Sequence, residues 1–378
     1  MTRELSLIER VTLGSQILRN KLSGIFALVL LCALPAHATE QNYRLETLAE
    51  GLNYPWSVDF LPNGNILVAE LSGTLRTIDK DGHVSDPILG VPSVYRASQG
   101  GLFDVLLDSD FTTNQTLFLS YAAGDSKDNG TTVAKAILDG NSLTNVEVIF
   151  SANPQKYAPL HYGGRMAFTE DGFLLLTTGD GFDFREQAQN LNSHLGKTIR
   201  INKDGSPAPG NPFAQAPKVW TYGHRNPQGL AIAKDGTVYL NEHGPKGGDE
   251  INVVTKANNY GWPAITYGMD YNGAYVSPLT EYEGMQQPVH VWTPSIGPSG
   301  LAFYEGDKFP AWTNSLFVGA LVDAEVRRLT VSDGEIGSEE SLFTELKSRI
   351  RDVRIGPDDL LYIVTDGDQG AVIRVHPE

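Results

Sequence analysis

The chain has 378 residues, with 45 Asp and Glu against 29 Lys and Arg, and a formal net charge of −16. That acidity argues against nucleic acid or an anionic membrane surface as a partner, while leaving room for a local cationic pocket. One cysteine, Cys32, leaves no partner for a disulfide.

The leader comes first along the chain. Arg3, Arg10, Arg19 and Lys21 precede the apolar run GIFALVLLCAL, and Ala36-His37-Ala38 is a small-x-small cleavage site. This predicts a secretory signal peptide over residues 1–38 and a single mature domain over 39–378. The apolar run is too short to span a bilayer comfortably, so no membrane anchor is expected in the mature chain. Leu31 before Cys32 argues against a lipoprotein. Cys32 leaves with the leader, and a thiol nucleophile and a cysteine-ligated zinc leave with it. The leader carries four cations and two anions, so the mature chain has a net charge near −18. A disulfide-free exported protein must rely on its core, for which this length is ample, and it suits a bacterial periplasm.

Glycine is abundant and short β-rich runs alternate with turn signals, which predicts an all-β fold. Self-comparison shows one unit six times: an apolar run, a turn, and a second apolar run. The tight copies are WSVDFLPNGNILVAE (56–70), GRMAFTEDGFLLLTTG (164–179), GLAIAKDGTVYLNE (229–242) and VRIGPDDLLYIVTD (353–366). Looser copies occupy 101–121 and 300–320. The Asn-Gly, Asp-Gly and Asp-Asp turns suit tight hairpins because these residues tolerate positive φ. Six units spread along the mature chain predict a six-bladed β-propeller rather than a β-sandwich with fortuitous hairpins.

In a propeller the first strand of each blade lines the central channel, so the residues just before it sit at one mouth. In order these are Trp56, Gln99, His161, Arg225 with Asn226, Ser299, and Arg349 with Arg351. Three arginines around one cavity predict a small ligand with several carboxylates or phosphates, which guanidinium forks match bidentately. His161 is a candidate general base, because an imidazole among cations stays neutral near pH 7. Asp180 ends the paired strand of the same blade, where it is placed to orient His161.

NEHGPKGGDEIN (241–252) follows the fourth unit. Its Gly244 and Pro245 can expose carbonyls, and Asp249 and Glu250 add carboxylates: hard oxygen donors that suit Ca²⁺ rather than zinc. On spacing alone an ordinary glycine-rich turn with solvated acids is the better account of this stretch, since it holds no EF-hand loop pattern. No GxGxxG follows a strand, so no nicotinamide fold is expected.

The chain resembles the soluble pyrroloquinoline quinone (PQQ)-dependent aldose sugar dehydrogenases, and more distantly the soluble glucose dehydrogenases of the same six-bladed fold. The likeness covers the mature chain and is carried by ASQGGLFDV, HYGGRMAF, YGHRNPQGLA, NEHGPKGGDEIN, NYGWP, FYEGDKFPAW, LFVGAL and RIRDVRIGPDDLLYIVTD. It implies an aldose oxidised to its lactone, with electrons passing to an external acceptor that the sequence does not name. By the same resemblance His161 is the base, Asp180 holds it, and Arg225 stabilises negative charge on the quinone. Gln99, Asn226, Tyr271, Arg349 and Arg351 bind the quinone with Arg225. The carbonyls of Gly244 and Pro245 serve a Ca²⁺ at the cofactor. Glu250 and the Tyr260 carbonyl hold a second Ca²⁺, Asp270 is a weaker ligand candidate, and Trp292 walls the sugar site.

Two positions depart from the family. Val322 stands where relatives carry a cofactor-binding lysine, a loss on the order of 1–3 kcal/mol for a charged hydrogen bond. Leu160, before His161, replaces a polar residue. The competing readings are a calcium-dependent lactonase, which calls for carboxylate metal ligands at the channel mouth rather than arginines, and a non-catalytic propeller that has lost its quinone.

Overall fold

The computed structural model describes residues 41–378; the leader expected over 1–38 lies outside them. The strands form six antiparallel sheets arranged as a six-bladed β-propeller, five of them four-stranded and one three-stranded. Each repeat found in the sequence supplies the two innermost strands of one blade. These are Pro55–Phe60 with Ile66–Glu70, Leu102–Leu107 with Thr116–Gly124, and Gly163–Phe168 with Leu174–Thr178. The remaining three blades begin with Pro227–Ile232 and Val238–Glu242, Pro298–Tyr304 and Ser315–Ala320, and Ile350–Ile355 and Leu361–Thr365.

The hairpin turns have the expected chemistry. The Asn63 Oδ1 accepts the Asn65 N–H at 3.0 Å, and Gly64 sits at φ +88°. Asp235 accepts the Thr237 N–H at 2.8 Å beside Gly236. In the sixth blade Asp359 takes the left-handed position, at φ +59°, that glycine fills elsewhere.

The second strands read as continuous apolar runs because both faces are covered. In Ile66–Glu70, Ile66 and Val68 pack with Val353 and Ile363 of the sixth blade. Leu67 and Ala69 pack with Leu102, Leu117 and Leu119 of the second blade. Each fully buried aliphatic side chain contributes roughly 1.5–3 kcal/mol relative to exposure.

The ring closes through a strand the repeat search did not contain. Tyr43–Leu52 is the outermost strand of the sixth blade and pairs from Tyr43↔Pro377 to Leu52↔Gly370. Hydrogen bonds between the two ends of the described chain therefore seal the propeller. Among the described residues no helix is long and apolar enough to cross a membrane.

Two features of the channel position the site. Below the mouth, Arg165 lies 3.1 Å from Asp352 and 3.5 Å from Asp104. Arg354 bridges the same two carboxylates at 2.8 and 2.6 Å. This buried cluster ties blades two, three and six together. At the mouth, the pairing of first and second strands slips in all six blades, between Pro55 and Ser57, Leu102 and Val105, Leu176 and Thr178, Pro227 and Gly229, Pro298 and Leu301, and Ile350 and Asp352. Such bulges re-aim side chains at the end of a ladder. Every blade thus turns its leading residues out of the sheet pattern at the same end of the channel.

Candidate active site

His161 reaches its place through a strained backbone, at φ +50°. Its N–H donates to Gln99 Oε1 at 2.8 Å, which ties the second and third blades together at the mouth. Gly179 packs under it: a Cβ there would lie 2.3 Å from the His161 carbonyl oxygen. The imidazole is almost fully buried, with Nδ1 2.7 Å from Asp180 Oδ1. Asp180 also accepts the Phe182 N–H at 2.8 Å and the Trp262 indole N–H at 2.7 Å. A carboxylate so surrounded by donors acts as the acceptor, so Nδ1 carries the proton and Nε2 is the basic nitrogen. Burial pushes the imidazole below its ordinary value; Asp180 opposes that shift, and Arg225 and Lys156 add to it. The ring is therefore neutral near pH 7.

Arg225 is buried against the loop that follows its blade's second strand. It donates through Nη1 to the carbonyls of His243, at 3.2 Å, and Gly244, at 2.7 Å. Its Nη2 lies 3.3 Å from the Tyr271 hydroxyl. Its Nε is buried without a partner, an unmet donor of the kind a ligand satisfies. At the sixth blade Asp366 Oδ2 accepts from Arg349 Nε at 2.9 Å and lies 3.4 Å from Arg351 Nη2. Burial tends to raise the Asp366 carboxyl, but Arg351 and Arg349 hold it below its ordinary value.

Two cavities meet here. One of about 450 Å³ is lined by Gln99, Asn226, Arg349 and Arg351, with Trp56 and Val322 on its walls. The other, about 230 Å³, is lined by His161, Asp180, Arg225, Phe182 and Trp262. Pro245 and Tyr271 line both, so they form the partition. A chamber lined by arginines thus adjoins a small chamber lined by one imidazole.

Residues 52–374 match the family described as glucose/sorbosone dehydrogenase. The chain belongs to that family. It is 38 % identical over 367 residues to the aldose sugar dehydrogenase YliI of Escherichia coli, covering 94 % of this chain and 98 % of the relative. The crystal structure of the soluble E. coli enzyme in its apo-form superposes with a TM-score of 0.86, covering 89 % of this chain and 100 % of that one. A PQQ-bound aldose sugar dehydrogenase from Streptomyces coelicolor, 28 % identical, superposes with a TM-score of 0.75 over 90 % of this chain and 99 % of that one.

In this member of the glucose/sorbosone dehydrogenase family, several expected residues lie elsewhere than anticipated. Trp292 does not wall the His161 chamber. It sits in the outer strand His290–Trp292, packs in the core with Leu316 and Val318, and donates its indole N–H to Glu339 at 2.9 Å. Trp262, from NYGWP, takes the wall position instead. Asp270 lines the His161 chamber against Arg185, at 3.4 Å, rather than the void beside Glu250. Ser299 stays out of both chambers and donates to the Ile350 carbonyl at 2.7 Å, joining blades five and six. Asp249 is spent on bracing its loop: it accepts the N–H groups of Gly244 and Gly297, both at 2.9 Å.

The donor sets fit the groups that the resemblance implies. Arg349 and Arg351 in the larger chamber, with Arg225 and its unmet Nε in the adjoining one, suit a polyanionic ligand, and the larger chamber has room for a tricyclic one. Glu250 lines a small void with Glu242, Gly248, Tyr260 and Thr266, whose oxygens share it with Arg225, His243 and Trp262. Burial and the neighbouring Glu242 push the Glu250 carboxyl up to about 8. Two acids around one void, Glu242 buried and Glu250 half-buried, suit a hard divalent cation. The Tyr260 ring stacks on His224 at 4.6 Å and its hydroxyl donates to the Val253 carbonyl, which leaves its main-chain carbonyl as the donor it can offer. The Gly244 carbonyl already accepts from Arg225 and offers a cation its second lone pair.

Asp366 was missed, although the sequence held a signal for it. In the tight repeats an acid stands at the end of the second strand or within two residues of it: Glu70, Asp180, Glu242 and Asp366. Each acid anchors the start of an inner strand. Glu242 accepts the Arg225 N–H at 2.5 Å, and Glu70 accepts the Asn53 N–H at 2.7 Å.

Proposed function

We propose that this protein is a sugar dehydrogenase that oxidises aldoses at the anomeric carbon to lactones, using PQQ and Ca²⁺. The carrying observation is His161: a buried, neutral imidazole with Nδ1 fixed on Asp180 and Nε2 free, in a sugar-sized chamber that shares a wall with an arginine-lined one. PQQ supplies the two-electron acceptor when bound, and Ca²⁺ the Lewis acid beside it.

The chain's own residues do the rest. His161 Nε2 takes the proton of the anomeric hydroxyl as C1 gives up its hydride, so the sugar loses two electrons and two hydrogens and becomes the lactone. Asp180 holds the imidazolium that forms. Arg225 places positive charge at the partition between the chambers, where negative charge builds in the oxidant. Phe182 and Trp262 offer apolar faces to the sugar ring. Arg349, Arg351, Asn226 and Gln99 bind and orient the quinone. Gly244 and Pro245 carbonyls hold the catalytic Ca²⁺, while Glu250 and the Tyr260 carbonyl hold the structural one. Export by the leader over 1–38 places the reaction in the periplasm.

The test is reconstitution. Purified apo-protein is assayed for glucose-driven reduction of an artificial dye with PQQ alone, with Ca²⁺ alone, and with both. Turnover only with both is expected. Equal activity without added quinone, in protein shown to contain none, overturns the reading.

A further inference from the structure

Most of the cationic charge in the 450 Å³ chamber is already spoken for. Arg349 and Arg351 share the single carboxylate of Asp366. Arg225 lines the smaller chamber rather than this one, and spends its Nη groups on two carbonyls and the Tyr271 hydroxyl. On the opposite wall Val322 is 64 % exposed and offers no polar group.

One further arginine lines this chamber, and no motif pointed to it. Arg96 is exposed and belongs to the loop that also delivers Gln99. It donates through Nη1 to the Ser98 carbonyl at 2.7 Å and to the Gly100 carbonyl at 3.2 Å. It makes no ion pair among the described residues. The loop is well built. Tyr95 donates to the Ala122 carbonyl at 2.7 Å, Gly100 to the Ala97 carbonyl at 2.7 Å, and Gln99 to the Pro159 carbonyl at 3.1 Å. A Cβ at Gly100 would lie 2.6 Å from the Tyr95 carbonyl oxygen, and Ser98 sits at φ +47°. The loop is thereby fixed against both neighbouring blades.

We propose that Arg96 is the chamber's uncommitted cation and pairs with a carboxylate of the bound quinone, so that anion recognition comes from the second blade as well as the sixth. The assignment rests on the quinone reading above. Its physical basis is that backbone carbonyls orient a guanidinium without neutralising it, whereas Asp366 offsets half the charge of the Arg349–Arg351 pair. A guanidinium that keeps its full charge and its remaining N–H donors is suited to a ligand carboxylate.

The experiment titrates PQQ into Ca²⁺-loaded apo-protein and follows binding by quenching of tryptophan fluorescence. R96Q keeps N–H donors for the two carbonyls and loses only the charge. It is expected to bind about tenfold more weakly, with a flatter salt dependence and an unchanged melting temperature. R96K is expected to stay within about threefold of wild type. Adding V322K to R96Q places a cation on the facing wall and is expected to recover most of the loss, which repair of a damaged loop could not do from there. If wild type and R96Q bind equally, the assignment of Arg96 is wrong while the quinone reading stands. If wild type shows no saturable binding, both fall.

Discussion

Blades three and six use the same scaffold position for opposite purposes. In each, the second strand leads to an acid, and a bulge turns polar residues of the first strand towards it. Asp180 in blade three meets one buried imidazole, fixes its tautomer and leaves Nε2 basic. Asp366 in blade six meets two guanidiniums and holds both at the channel mouth. One carboxylate shapes a proton acceptor; the other keeps two permanent cations close together despite their repulsion. The difference comes from the partner and its burial, since the backbone frame is shared.

The comparison breaks most sharply at His161. H161A removes the one imidazole that lines its chamber among the described residues and leaves every arginine in place. It is expected to bind the quinone normally and to lose about a thousandfold in kcat. Full activity in that variant removes the proposed base. D366N strikes the other acid. It leaves the largely buried Arg351 without its anion and is expected to lower apo-protein stability by about 2 kcal/mol in urea unfolding. The half-exposed Arg349 adds little to that figure because solvent screens it. Saturating anionic quinone should restore part of the loss, whereas the corresponding D180N loss should not respond.

The smallest effect is a pH shift. Burial lowers the folded value for His161, so the imidazole stays neutral below the pH at which a free one protonates. The acid limb of kcat/KM is therefore expected below about 6.5. D180N removes a stabiliser of the protonated ring and should move that limb lower still; K156M removes a buried neighbouring cation and should move it higher. Stability carries the same sign. His194, pushed down to about 4 by burial and then by Lys218, is protonated more readily when unfolded. Its contribution is complete above about 6.5 and is lost as pH falls towards 4, which acid unfolding at fixed salt can follow.

The sequence was most legible where physics is local. Hairpin turns show as Asn-Gly and Asp-Gly pairs, and second strands show as apolar runs. The six repeats therefore gave the blade count, and reading the residue before each first strand put His161, Arg225, Arg349 and Arg351 at one mouth. Trp292 was assigned to the sugar site by the resemblance alone, with no local signal behind it; here it faces the core. Asp270, a weaker ligand candidate from the resemblance alone, faces Arg185 instead.

By itself the sequence determined the all-β class, the repeated unit, and the kinds of group that ring the channel, because these follow from short-range spacing and from which residues tolerate which backbone. The tertiary structure decided what spacing cannot encode. It closed the ring with Tyr43–Leu52 and divided the mouth into two chambers. It also committed Asp249 to bracing a loop, and it left Arg96 on two backbone carbonyls with no carboxylate partner among the described residues. Each of these depends on groups far apart in the chain competing for the same partner or the same space, and that competition is settled only when the blades pack.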